Sequence, residues 1–209
     1  MHIAFGRRAR LITLGAGLIT SAAVAIATAT PAFADTTDTG GTATIAIPRA
    51  NLVLLAKAGI IVLPGSPATS SYTAGTSKLN SLDAFTFTVT GGNGEVSNFF
   101  GIVNLGGSLV LINSAHSHTA TVSNLELNFF NGSLTGTING GTAQIPVAFI
   151  GGDMSAVPDT GSGTESFSAT ALLSAAKGAQ ALNKALGTTV FVKGVPLGGI
   201  TTTFTVTHS

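Results

Sequence analysis

The sequence predicts a mainly β protein, an antiparallel β-sandwich or short barrel with two short helices. Between Phe85 and Ile150, short segments alternate apolar and polar residues, which is the pattern of half-buried strands. Asn131-Gly132 and Asn139-Gly140 separate such segments, and Asn-Gly is the strongest short-range signal for a hairpin turn. Only 8% of the residues are charged, and Gly, Thr, Ser and Asn supply the polarity instead. That composition is typical of an extracellular β protein.

Residues 1–34 are predicted to be an export signal. Arg7, Arg8 and Arg10 form a basic start, an uncharged apolar run follows, and Ala32-Phe33-Ala34 offers small residues at the −3 and −1 positions of a cleavage site. A transmembrane anchor is the alternative, but the apolar run is marginal for a span of ~20 residues. We therefore expect a secreted protein that begins at Asp35, either extracellular or held non-covalently at the cell surface.

Composition and charge narrow the classes of function. The chain has no cysteine, which excludes disulfides and a lipid anchor on Cys. Loss of residues 1–34 removes three of the 9 Lys and Arg residues and none of the 8 acidic residues, leaving a net charge of −2. The sequence thus shows no basic patch for nucleic acid or an anionic membrane, and no second apolar stretch long enough to span a bilayer. A cell-envelope component or a small hydrophobic ligand is the expected partner.

The chain after the signal is predicted to form one domain. Residues 35–41 are polar and are expected to be a flexible leader. Residues 42–209 are expected to form a single β-rich domain, because a chain of this length can bury a sizeable core. Residues 151–163, rich in Gly, Asp and Pro, are predicted to be a long loop.

Two helices are predicted, one from Arg49 to Ala58 and one from Ala171 to Leu186, where apolar residues recur at three- and four-residue steps. Gly59 and Gly187 follow them and suit the left-handed C′ position. A short apolar segment comes after each glycine, the second being 190–192. These are either ordinary helix-to-strand connections or a pair of units that plug the two ends of a barrel.

Several segments resemble the HtaA-type domain of secreted and surface proteins of actinobacteria. They are GIVNLGGSL (101–109), VSNLEL (122–127), LTGTIN (134–139) with IPV (145–147), and SATALLSAA (168–176) with ALN (181–183). The resemblance covers about half of the chain and implies a β-rich extracellular module, which in some members binds haem. Those members use an early tyrosine as iron ligand and histidines near the pocket. Here Asn104-Leu105 stand where a histidine is expected before Gly106-Gly107.

Tyr72, His116 and His118 are the candidate cofactor-binding residues, although none of them stands at a position of the family's motif. His116 and His118 are also the candidate metal ligands. In an extended strand the two imidazoles face the same side and could share Zn²⁺ or another borderline metal. Glu126 or Asp153 would have to supply a third ligand. The alternative is a solvated turn.

Catalysis has little support in the sequence. A Ser–His–Asp triad through His116 or His118 can be drawn, but no Gly-x-Ser-x-Gly elbow lies between a strand and a helix. The chain has no Trp and one Tyr, so a stacking platform for sugars is missing. Asp153, Asp159 and Glu165 share one Gly-rich segment, but their spacing fits no EF-hand.

The main hypothesis is a secreted, non-catalytic module without a cofactor, in a structural, adhesive or ligand-capture role. The alternative is a binder of haem or a hydrophobic ligand of HtaA type, and the second alternative is a secreted hydrolase. The useful observation is whether the folded segment from Phe85 to Ile150 encloses a filled core or an apolar cavity, because a cavity would favour a ligand-binding role.

Overall fold

The protein is represented by a computed structural model that describes residues 36–71, 82–161 and 163–208. These residues form eleven β-strands and two α-helices. In chain order they are β1 Thr36–Pro48, α1 Arg49–Lys57, β2 Ile60–Gly65, β3 Thr69–Ser70, β4 Leu82–Gly92, β5 Ile102–Gly106, β6 Ser108–Asn113, β7 His118–Asn128, β8 Ser133–Ile138, β9 Ile145–Val157, β10 Thr164–Ser174, α2 Ala176–Leu186 and β11 Pro196–His208. Neither helix is long and apolar enough to cross a membrane.

Eight of the strands close into an antiparallel barrel in the order β7, β5, β4, β1, β11, β10, β9 and β8. Pairing of β8 with β7 completes the circle, with Val122 opposite Ile138 and Asn128 opposite Ser133. The predicted fold class is thereby confirmed, as a barrel with two short helices. Because the barrel is closed, each of these eight strands is paired on both sides over at least part of its length.

Phenylalanine side chains fill the barrel interior. Phe85, Phe87, Phe167 and Phe204 are at most 1% exposed and alternate along their strands with more exposed threonines and serines. The ring of Phe129 packs among them, with its centroid 5.1 Å from that of Phe167 and 6.3 Å from that of Phe204. An eight-stranded barrel is just wide enough for side chains to fill. The barrel therefore has a core filled by aromatic side chains.

Strands β2 and β6 and the first half of β7 form a three-stranded extension, which leaves the barrel at Gly106-Gly107. Strand β5 pairs with the second half of β7, and β6 pairs with its first half and with β2 on its other side. Gly107 has φ +101°, and a Cβ on it would lie 2.7 Å from the Cβ of Ala68. Only glycine fits such a site, so these residues turn one long strand out of the barrel.

Both helices lie at the same end of the barrel. Strands β1 and β10 each pair antiparallel with β11, so they run in the same direction, and each leads directly into a helix. The interpretation as plugs for two opposite ends is therefore wrong. The second unit also lacks its predicted strand, because residues 187–195 form a loop. The predicted left-handed conformation of both glycines is confirmed, with φ +80° at Gly59, which follows the C-cap Ala58, and φ +61° at Gly187, the C-cap of α2.

Three boundaries differ from the sequence prediction because backbone pairing overrides local composition. Residues 36–41, expected to be a flexible leader, belong to β1 and pair with the end of β11. Residues 171–174, expected to start the second helix, belong to β10. Residues 151–157, expected in a loop, extend β9 alongside β10. The alternation of buried and half-buried side chains in 171–174 has the period of a strand.

The two Asn-Gly turns differ. Asn139 and Gly140 have φ +51° and +70°, the positive values that a type I′ turn requires at both central residues. At the other turn only Gly132 has a positive φ, of +61°. The loop before β8 is therefore of another type, although it still reverses the chain between paired strands.

Two buried carboxylates hold a loop over the barrel end opposite the helices. Asp38 Oδ2 accepts the N–H of Gly94, and Glu165 Oε2 accepts the N–H of Val96, each at 2.8 Å. Both acidic residues are only 2% exposed. Asp38 Oδ1 has no hydrogen-bond partner among the described residues. Burial raises the pKa of Asp38 to about 6, and the nearby charge of Glu165 adds to this effect.

Replacing Asp38 by asparagine should remove a pH-dependent loss of stability. A carboxyl whose pKa is raised on folding stabilises the fold below its unfolded pKa, and this stability is lost as the pH rises through the folded value of about 6. Asp38→Asn keeps an oxygen for the Gly94 N–H without the charge. Urea denaturation should show a gain of up to about 3 kcal/mol in the free energy of unfolding above about pH 7, and little gain below about pH 4.

Asp153→Asn, at an exposed position on β9, is the matched control and should change stability little at either pH. An Asp38→Asn variant with the same stability difference at both ends of the pH range would contradict this account of the Asp38 carboxyl.

Candidate functional site

An apolar cavity of about 310 Å³ lies at the end of the barrel that carries the helices. Its walls come from α1, α2, the β2–β6 extension, the loop of residues 187–195 and the adjoining ends of barrel strands. The lining residues are Ile47, Asn51, Leu54, Leu55, Ala58, Val62, Leu109, Leu111, Val122, Val147, Ser174, Leu182, Val190, Phe191, Val192, Val195, Pro196 and Leu197. The cavity is therefore outside the filled barrel core.

Helix α1 is fixed over the cavity by two polar contacts. The Arg49 guanidinium forms a buried ion pair with Asp83 on β4, at 3.2 Å from Nη1 to Oδ1. Two residues further along, Asn51 Nδ2 donates to the carbonyl of Pro196 at 3.0 Å. Asn51, Leu54, Leu55 and Ala58 recur at helical spacing, which turns one face of α1 toward the cavity. Pro48 precedes the first helical residue and ends β1.

Helix α2 lies close against the start of β9. A Cβ on Gly178 would lie 2.8 Å from the Cα of Val147, so glycine allows this close approach of helix and strand. The N–H of Ala175 donates to the carbonyl of Val147 at 3.0 Å. Asn113 Nδ2, at the end of β6, donates to the carbonyl of Leu186 at 2.8 Å and satisfies one of the helix's terminal acceptors.

The loop of residues 187–195 is held as a wall of the cavity by Asn183. Its side-chain amide donates to the carbonyl of Phe191 at 2.8 Å, and its Oδ1 accepts the N–H of Phe191 at 3.0 Å. Further along, the N–H of Gly194 donates to the carbonyl of Ser174, and the N–H of Ser174 donates to the carbonyl of Val195. The loop lacks regular secondary structure but is fixed at several points.

The lining is suited to an apolar ligand. Asn51 and Ser174 carry the polar side chains among the described lining residues, and the Asn51 amide already bonds to Pro196. The other lining residues are aliphatic or proline, apart from Phe191. No described lining residue is a His, Tyr, Cys, Met, Lys or carboxylate. The cavity can therefore desolvate a hydrophobic molecule but has no described side chain that commonly ligates iron.

The two histidines lie elsewhere. His116, in the turn before β7, and His118, the first residue of β7, are exposed, with ring centroids 6.4 Å apart. They lie near the C-terminal end of α2: His116 lines a shallow, open cleft of about 500 Å³ together with Lys184 and Gly187. A Cβ on Gly187 would lie 2.7 Å from His118 Nδ1. The structure thus brings the pair together but away from the apolar cavity.

No three His, Cys, Asp or Glu residues group as a metal site within 36–71, 82–161 and 163–208. The cofactor and metal roles of His116 and His118 stay predictions. Tyr72, the third candidate, lies outside the described residues. Two of the acidic residues weighed for Ca²⁺ have structural contacts: Asp159 Oδ1 accepts the N–H groups of Gly161 and Gly163, and Glu165 is buried.

The cavity and the buried Asp38 carboxylate were both missed by sequence reasoning. The walls of the cavity come from distant parts of the sequence, and only the pairing of the strands brings them together. Asp38 was missed because residues 36–41 have the composition of a flexible polar leader. The spacing of Asn51, Leu54, Leu55 and Ala58 was the available signal for the α1 face.

Comparisons with known proteins show the fold. No protein-family model and no curated protein matches the sequence. The solved structure of the C-terminal domain of HtaA from Corynebacterium glutamicum is similar, with a TM-score of 0.53 and 19% identity, over 82% of this chain and 99% of that one. The haem-binding protein HtaB from Corynebacterium glutamicum is similar with a TM-score of 0.55 and 16% identity, over 82% of this chain and 95% of that one. The chain has an HtaA-like fold.

Replacing Asn183 by alanine should loosen the wall formed by residues 187–195. The change removes both side-chain hydrogen bonds to Phe191, each worth about 1 kcal/mol. Hydrogen exchange followed by NMR should show at least about fivefold faster exchange of the Phe191 amide, because its acceptor is lost. Gln180→Ala, at an exposed position of α2, is the control. Equal protection of the Phe191 amide in both variants would show that Asn183 does not hold the loop.

Proposed function

We propose that this protein is a non-catalytic extracellular module that binds a small apolar ligand in the cavity between α1, α2 and residues 187–195. The observation that carries this proposal is the cavity itself, which is lined almost entirely by aliphatic side chains. Its volume of about 310 Å³ is at the lower end of the range for small-molecule sites. A compact aliphatic or polycyclic molecule suits this space, and apolar contact area is the main source of affinity.

The positions of the polar residues support a non-catalytic role. The histidines that a hydrolase would need are exposed at the turn before β7. Asp83 is paired with Arg49 inside the protein, and Glu165 accepts a backbone N–H at the opposite end of the barrel. These groups are spread over separate parts of the structure, whereas catalysis requires a nucleophile, a base and an orienting group in contact.

The export signal predicted for residues 1–34 and the low charge content support an extracellular address. The same features allow a non-covalent association with the cell surface. This address is part of the proposal.

Haem is the second candidate ligand, favoured by the fold shared with the haem-binding protein HtaB. The described residues of the cavity do not fit the iron of a haem, because none of them carries an imidazole, phenol, thiol or thioether. We therefore place the apolar ligand first.

Filling the cavity from α1 should abolish binding of an apolar probe. Ala58→Phe adds a ring to a lining position, so N-phenyl-1-naphthylamine should bind at least about tenfold more weakly, as measured by its fluorescence. Ala56→Phe is the matched control, because Ala56 is on the same helix, is exposed and is not part of the lining. Equal affinity in both variants, or no binding to the wild type, would contradict the proposal.

A haem titration at the Soret band distinguishes the second candidate. We expect at most weak binding whose spectrum is unchanged by Tyr72→Ala or by the double substitution of His116 and His118 with alanine. A strong Soret shift that either variant abolishes would establish an iron ligand outside the cavity lining and favour haem.

A further inference from the structure

The cavity opens to solvent through an apolar mouth formed by Leu54 on α1 and Val190, Val192 and Val195 in the loop of residues 187–195. All four residues line the cavity, and their exposed fractions lie between 38% and 63%. Isolated exposed apolar residues are ordinary on protein surfaces, but a group around a pocket marks an interaction site. The mouth joins the inside of the cavity to an exposed apolar surface.

Lysine residues lie on the helices and the loop around the cavity. Every lysine in the described part of the chain is exposed and lies on α1, α2 or the loop: Lys57, Lys177, Lys184 and Lys193. Lys193 stands between Val192 and Val195, and Lys57 is one helical turn from Leu54. We call the surface formed by α1, α2, β2, β6 and residues 187–195 the basic end. None of these elements contains an Asp or Glu.

The acidic residues lie on other elements. Asp38, Glu95, Asp159 and Glu165 belong to the opposite end of the barrel, where Gly94 and Val96 contact the buried carboxylates. Glu126 is on β7 and Asp153 is on β9. Asp83 is neutralised by its ion pair with Arg49. Because the exposed lysines are at the basic end and the acidic residues are on other elements, an anionic surface would attract the basic end.

We propose that the basic end docks on an anionic lipid surface. Leu54, Val192 and Val195 enter the interface, while Lys57 and Lys193 reach the headgroup phosphates. Lysine suits this position because its apolar stem packs beside aliphatic neighbours while its ammonium group stays at the polar boundary. The proposal rests on the proposed function, since a mouth lying on the bilayer lets an apolar ligand pass into the cavity without crossing water.

The exposed aliphatic side chains favour lipid over an acidic protein as the partner. They match acyl chains, and the lysines add an attraction to anionic headgroups of about 1 kcal/mol for each residue near the surface, or about fivefold in binding. This proposal departs from the sequence-based expectation of no basic patch for an anionic membrane. The lysines are far apart in the chain, and the fold gathers them at one end while the acidic residues go elsewhere.

Flotation with unilamellar vesicles tests the docking surface. The protein without residues 1–34, which precede the whole described fold, should bind vesicles of equal parts phosphatidylcholine and phosphatidylglycerol and bind phosphatidylcholine vesicles much more weakly. Lys57→Glu with Lys193→Glu should lower binding to the mixed vesicles at least about thirtyfold. High salt should have a similar effect on the wild type.

A matched pair of valine variants tests the apolar part. Val192→Ser should weaken vesicle binding, whereas Val157→Ser, equally exposed at 57% but on β9, should not. Absence of wild-type binding to the mixed vesicles would overturn the proposal and point to an acidic protein partner. Equal binding of wild type and the double lysine variant would overturn it as well.

Failure of docking and failure of ligand binding are distinguishable. Neither Lys57 nor Lys193 lines the cavity, so the double lysine variant should keep its affinity for N-phenyl-1-naphthylamine in solution. Ala58→Phe should lose the probe and still bind the mixed vesicles. A loss of both properties in the double lysine variant would show a damaged fold, which its circular dichroism spectrum and thermal unfolding would reveal.

Discussion

Closure of the eight-stranded barrel around an aromatic core is the constraint on which the rest of the structure depends. Side chains can fill a barrel of this size, and here Phe85, Phe87, Phe167 and Phe204 occupy its interior and are almost completely buried. The apolar cavity lies beside this core, between the helices and the loop of residues 187–195. The direction of β1 and β10 sends both helices to one end, and the strand that turns outward at Gly106-Gly107 gives the third wall. The cavity follows from this topology.

A few polar contacts then fix walls that are otherwise apolar. The buried Arg49–Asp83 pair and the Asn51 amide hold α1, and the Asn183 amide holds the loop at Phe191. Removing one partner of a buried ion pair leaves an uncompensated charge, so loss of either Arg49 or Asp83 alone would be strongly destabilising.

Features that depend on a local sequence pattern could be predicted, whereas features that depend on the register between paired strands, such as the cavity, could not. Strand alternation, glycine C′ positions and the barrel class are local or additive signals, and they are confirmed. The run Ala-Leu-Leu-Ser at 171–174 fits both a helix and a strand, and pairing with β9 decides for the strand. His116, His118 and Tyr72 were the sequence-based candidates because imidazole and phenol groups are side chains that bind metals or haem iron. An aliphatic cavity has no such signal, since its residues look like ordinary core.

The central claim is that the ligand space lies between the helices and not in the barrel. Methyl NMR during titration with a medium-chain alcohol tests it directly. The account predicts progressive shifts for methyl groups of Leu54, Val62 and Leu111, with those of Val103 and Leu127 in the barrel core unchanged. Shifts confined to the barrel core, or the absence of any saturable shift, would contradict it.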